Sequence, residues 1–81
     1  MIEVGQILTA REEILDDLGL VSFTMPDESY IIVTPPLIRI KSRNKKGGYR
    51  IIGLRSDGEQ YEIPAIFSEE FLLEKFENPN G

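Results

Sequence analysis

Eighty-one residues are too few for two independent cores and bury only roughly 60 to 65 % of the unfolded surface, so one modestly stable domain spanning residues 1–81 is expected. A hydrophobic fraction of 41 % with 28 % charged residues suits a packed core and argues against a disordered chain. With no cysteine and no histidine, the composition excludes disulfides, thiol nucleophiles, the usual zinc sets and the commonest general base, and leaves only carboxylates as metal ligands.

In chain order, Ile2 to Leu8 reads as a first strand, with Ile2, Val4 and Leu8 alternating against Glu3 and Gln6 and Gly5 loosening the pattern. Thr9-Ala10-Arg11-Glu12 fits a capping box ahead of Ile14, Leu15 and Leu18, with Gly19 as a stop, which allows a short helix. The rival reading carries the strand through Thr9 to Ile14 and makes Leu15 to Pro26 a long irregular loop. We read the loop, because a helix of about nine residues is marginal without tertiary support.

The β signal is firmer from Ser29 onward. Tyr30 to Val33 is rich in aromatic and β-branched residues, Pro35-Pro36 interrupts it at an edge or a sharp bend, and Leu37 to Ser42 resumes it. Asn44-Lys45-Lys46-Gly47-Gly48 supplies turn chemistry, and Tyr49 to Leu54 is the return strand. Ser56-Asp57-Gly58-Glu59 makes a second turn into Gln60 to Ile63, where Tyr61 and Ile63 face inward until Pro64 ends the strand. Ile38, Ile40, Ile52 and Ile63 are the expected interior of this meander. Ser68 is a good N-cap for a short C-terminal helix carrying Glu69 and Glu70 in its first turn and Phe71, Leu72, Lys75 and Phe76 beyond, stopping at Asn78-Pro79. Fraying is expected from Asn78 to Gly81.

The fold class expected from this order is mainly β: a small barrel or a strongly bent antiparallel sheet with a short C-terminal helix. Gly5, the strand start Glu28-Ser29-Tyr30-Ile31-Ile32, the segment Tyr49-Arg50-Ile51-Ile52, the run Asp57 to Ile63 and the closing Phe76-Glu77 together give a pattern. It resembles small SH3-like β-barrels, in particular the short barrel proteins encoded by tailed phages and other mobile elements. Pro35-Pro36 and the long first loop depart from the simplest form of that pattern. The resemblance implies a partner-binding role and no catalysis, although such a superfold licenses no particular function.

Charge is segregated along the chain. Seven of the nine basic residues (Arg39, Lys41, Arg43, Lys45, Lys46, Arg50 and Arg55) fall between positions 29 and 56, where no acid occurs, while the remainder holds two bases and all fourteen acids. Since Arg39, Lys41 and Arg43 alternate with Ile38 and Ile40, one hairpin face is expected to be basic and exposed. Arg39, Lys41, Arg43, Lys45, Lys46, Tyr49 and Arg50 are therefore the candidate partner-binding residues, with Tyr49 available to stack on a base if the partner is nucleic acid. The bland alternative is a solvated basic strand, or one that offsets Glu69, Glu70 and Glu74 within the same molecule, and a net charge of −5 argues against tight nonspecific nucleic-acid binding.

Glu12-Glu13 and Asp16-Asp17 invite comparison with a metal site, but the alternate spacing and central glycine of a calcium loop are missing. An acidic segment could instead mimic DNA phosphates towards a basic partner. Gly47-Gly48 lacks the spacing and following helix of a phosphate loop, and most of the seven aromatics belong in the core. No catalytic residue, metal or cofactor is expected. The function expected is that of a noncatalytic protein-interaction module, a phage-type accessory or host-modulating protein, using the hairpins and the Leu15 to Pro26 loop. The alternative is a nucleic-acid-binding barrel that uses the basic hairpin. A cytoplasmic location is the default, since no basic-then-apolar leader and no long apolar run occurs, and no membrane contact is expected. Self-association through the Ile31 to Val33 edge is left open.

Overall fold

The computed structural model describes residues 2–24 and 31–79. The chain is mainly β, with strands β1 (Ile7–Ala10), β2 (Val21–Thr24), β3 (Ile31–Thr34), β4 (Leu37–Arg43), β5 (Tyr49–Leu54), β6 (Gln60–Glu62) and β7 (Phe76–Glu77), and one α-helix, α1 (Glu69–Lys75). All pairings are antiparallel. Five strands form one open sheet in the order β6-β5-β4-β1-β7, and β2 with β3 forms a separate two-stranded sheet, so the described strands do not close into a barrel.

The core lies between the two sheets and under α1. Leu8, Val21, Ile38, Ile40, Ile51, Leu72 and Phe76 are all buried, each on the inward parity of its strand or helix. Phe23 of β2 meets Phe67 and Phe71 edge-on at 5.7 and 5.3 Å between ring centroids, which fastens the small sheet to the segment leading into α1. Ser68 caps α1 by accepting a hydrogen bond from the Phe71 amide, as expected. Because a helix this short is marginal alone, burial of Leu72 is what holds it.

Three turns share one construction. In each, the amide of the fourth residue donates to the carbonyl of the first, and the amide of the first donates to the carbonyl of the fifth: Asp16 with Gly19 and Leu20, Asn44 with Gly47 and Gly48, Arg55 with Gly58 and Glu59. The fourth residue has φ between +75° and +92° in all three, a region in which glycine alone carries no Cβ penalty. Asp16 Oδ1 also accepts from the Leu18 and Leu20 amides, and Asn44 Oδ1 from those of Lys46 and Gly48.

Several sequence expectations are corrected. The first strand starts at Ile7 and not at Ile2, because residues 4–5 turn and the Gly5 amide is drawn to the Ile40 carbonyl at 2.8 Å; Val4 is consequently exposed while Ile2 remains buried. Neither reading of Thr9 to Ile14 holds. Ala10 pairs with Phe76 and the Arg11 amide donates to the Lys75 carbonyl at 3.0 Å, so Thr9 belongs to a ladder and cannot cap; a single 3₁₀ turn, Glu12–Ile14, follows. The Leu15 to Pro26 loop contains a strand, since Leu15 bridges Val21 and Val21 to Thr24 pairs with β3. Within β5 the inward residues are Tyr49, Ile51 and Gly53, and Ile52 faces outward. The terminal helix ends at Lys75, one residue before Phe76, because Phe76 and Glu77 extend to pair with β1. The expectations for Pro26, for Glu28, Ser29 and Tyr30, and for Asn80 and Gly81 lie outside the described residues.

Candidate functional site

The β4–β5 hairpin carries all seven candidate residues, but the structure does not gather them on one face. The ladder shifts register between Ile40 and Ser42, so that Lys41 and Ser42 together oppose Arg50. Beyond this bulge the parity of β4 is reversed. Arg43 pairs with inward-facing Tyr49 and lies 5.7 Å from that ring's centroid, while Arg39 and Arg50 lie on the outer face. The expected single basic face is therefore divided.

The candidates also differ in what they touch. Arg39 is half-buried and donates to Gln60 Oε1 at 3.4 Å, and Lys41 reaches across β5 to form an ion pair and hydrogen bond with Glu62 on β6. That hydrogen bond, with the Lys41 charge behind it, holds the Glu62 carboxyl below the usual carboxylate range. Tyr49 is 2 % exposed and its hydroxyl donates to the Ile2 carbonyl at 3.3 Å, so it belongs to the core and cannot stack on an incoming base. Lys45 and Lys46 stand exposed on the Asn44–Gly48 turn, and Arg50 is exposed beside it. No ion pair among the described residues joins this hairpin to α1, and Glu69 instead accepts from the Ile2 amide at 2.7 Å.

A second feature was hidden in the sequence. At the other end of β4 and β5 lies a cleft of about 740 Å³, open to solvent, between the Asp16–Leu20 turn, the Pro35-Pro36 corner and the β5–β6 turn. Its apolar lining includes Leu18, Leu20, Val33, Pro35, Leu54 and Tyr61. Leu18 is 82 % exposed, Val33 56 % and Tyr61 43 %, an unusual display of large apolar side chains around one concavity. Tyr61 does share the inward parity expected of it, opposite Gly53, yet the open sheet leaves it at the rim, where its hydroxyl accepts from Arg55 Nη1 at 2.6 Å. Arg55 is in turn paired with Asp57 at 2.7 Å. The floor depends on Gly53: a Cβ there would stand 2.8 Å from Thr34 Oγ1 and 2.9 Å from Pro35 Cδ, so only glycine lets the corner approach β5.

The carboxylates considered for metal binding serve other ends or face water. Asp16 fastens its own turn, and Glu12, Glu13 and Asp17 are exposed. Among the described residues no group of three acidic side chains is placed to hold a metal, and no helix is long and apolar enough to cross a membrane. No protein-family model, no curated protein and no solved structure matches the chain.

Proposed function

We propose that the chain is a noncatalytic protein-interaction module that receives an apolar segment of a partner protein in the cleft between the Asp16–Leu20 turn and the β5–β6 turn. The observation that carries this reading is the cluster of exposed apolar side chains around a concavity of about 740 Å³. Val33 is 56 % exposed, so covering what remains in water contributes on the order of 1 kcal/mol by the usual area relation. The exposed polar groups in the lining, Ser56, Tyr61 and Arg55, supply hydrogen bonds for orientation but include no carboxylate or imidazole to act as a base. Binding without turnover is what such a lining supports.

An SH3-like barrel of the phage and mobile-element type is the finer fold reading, and the pairing order supports it. A first strand lies between the second half of the chain and the last strand, a hairpin interrupts the first connection, and two tight turns join the next three strands.

The test is affinity capture from a lysate of the source organism at about 50 mM and about 500 mM salt, since apolar docking survives screening that removes exposed charge contacts. A protein retained at both concentrations, and lost by at least about tenfold with Val33→Glu, is the expected result. Equal retention by the wild type and Val33→Glu, or no protein retained at the higher salt, contradicts the proposal.

A further inference from the structure

We infer that the free edge of β3 is a self-association site, at which two copies of the chain pair β3 against β3, antiparallel, about a twofold axis at Ile32. The neighbouring strand fixes the direction of the backbone groups. On the far side of β2 the bridge between Leu15 and Val21 is made by the Asp16 amide donating to the Leu20 carbonyl, so Leu20 and Ser22 turn their backbone groups away from β3. Val21 and Phe23 turn theirs towards it and pair with Thr34 and Ile32. The amides and carbonyls of Ile31 and Val33 therefore point outward from the free edge, where no other described segment bonds to them. The remaining sheet edges are guarded. Leu15 and Asp16 cover β2, β6 ends on Glu62, and β7 is two residues long with Pro79 just beyond. β3 carries none of these devices: Ile31 to Thr34 hold no charge, no proline and no bulge, and Ile31 and Val33 are 64 % and 56 % exposed.

A second copy is the occupant this edge fits. With Ile31 opposite Val33 of the second copy, every outward amide meets an outward carbonyl, and Ile32 faces its own counterpart across the axis. The same register sets Ile31 beside Val33 of the second copy on the exposed face, a β-branched pair on each side of the axis. Charge favours the copy as well. A chain of net charge −5 repels its own kind over most of its surface, but β2 and β3 carry no charged side chain, so identical surfaces meet here without opposing like charges. A strand bearing charges would instead bury them against Ile31 and Val33 with nothing to pair them. The contact is isologous and consumes the free edge of both copies, so growth ends at the dimer. Four residues from each copy make a small interface, and association is correspondingly weak.

Sedimentation velocity from about 10 µM to about 1 mM chain, with amide hydrogen exchange at both ends of that range, tests this directly. The weight-average mass is expected to rise from one copy towards two. Over the same range the Ile31 and Val33 amides slow in exchange by at least about threefold, while those of Ile32 and Thr34, already bonded to β2, change little. Ile31→Lys abolishes both effects and leaves the thermal melting of the dilute chain unchanged, because the side chain it replaces is exposed. Val33 also lines the cleft and Ile31 does not, so this variant separates self-association from docking there. A single copy at every concentration, self-association that survives Ile31→Lys, or association without slower exchange of the two amides overturns the inference. So does slowing of those amides by an unlike protein while the chain itself stays a single copy.

Discussion

Gly53 is the residue on which the cleft geometry turns. The chain leaves β3 through Thr34 and Pro35, both buried, and crosses β5 where a side chain would collide with each of them. Gly53→Ala is expected to lower stability by about 1 to 3 kcal/mol through overpacking, measured by chemical denaturation, and to widen the gap between the corner and β5. A neutral effect would mean that the corner moves freely. The same strand shows what alternation can and cannot reveal. Arg50, Ile52 and Leu54 share one parity, so the exposed charge of Arg50 already places Ile52 outward; the adjacent pair Ile51-Ile52 hides this from a reading based on hydrophobicity alone. Tyr49 follows the same rule, since its parity with buried Ile51 moves it from the candidate surface into the core. Glycine's steric role at position 53 has no sequence signal at all, because it depends on a neighbour nineteen positions earlier.

At the scale of elements, the Lys41 bulge ties β4 to the edge strand β6. Glu62 accepts from Lys41, which holds its carboxyl below the usual carboxylate range in the folded chain. A carboxyl that binds its proton less readily when folded contributes stability at pH values above its unfolded pKa, and that contribution is lost as pH falls through the folded value. Stability should therefore decline on acidification below about pH 4.5, and Glu62→Gln should flatten this acid limb while leaving stability near neutrality little changed, as exposed pairs contribute little there. Thermal melting of both proteins across that range checks it, and superimposable acid limbs would refute it. The strands β4 and β5, both tight turns after residue 43 and the cap at Ser68 were legible because local chemistry determines them. The strand Val21–Thr24 was not, since four residues of alternation carry little weight without their partner β3. Nor was β7, whose two residues are strand only because β1 lies beside them.

Considered whole, the molecule is polarised along one hairpin. Cations with no ion pair among the described residues lie around the Asn44–Gly48 turn, and the exposed apolar groups of the cleft lie at the other end of the same strands, separated by a seven-residue strand of about 20 Å. Composition foretold the first surface, since a stretch of 28 residues without an acid is plain in the sequence; its division between two faces was not, because one extra residue in β4 sets it. The cleft was illegible. It is assembled from three turns far apart in the chain, and each of its apolar residues, read singly, passes for core. Docking of the protein partner in that cleft is the central proposal. The most direct measurement is a map of backbone amide shifts in the isotope-labelled chain on adding the protein captured at high salt. Leu18, Leu20, Val33, Leu54 and Tyr61 are expected to shift while Lys45, Lys46 and Arg50 stay in place; shifts centred on the hairpin tip with a silent cleft would contradict it.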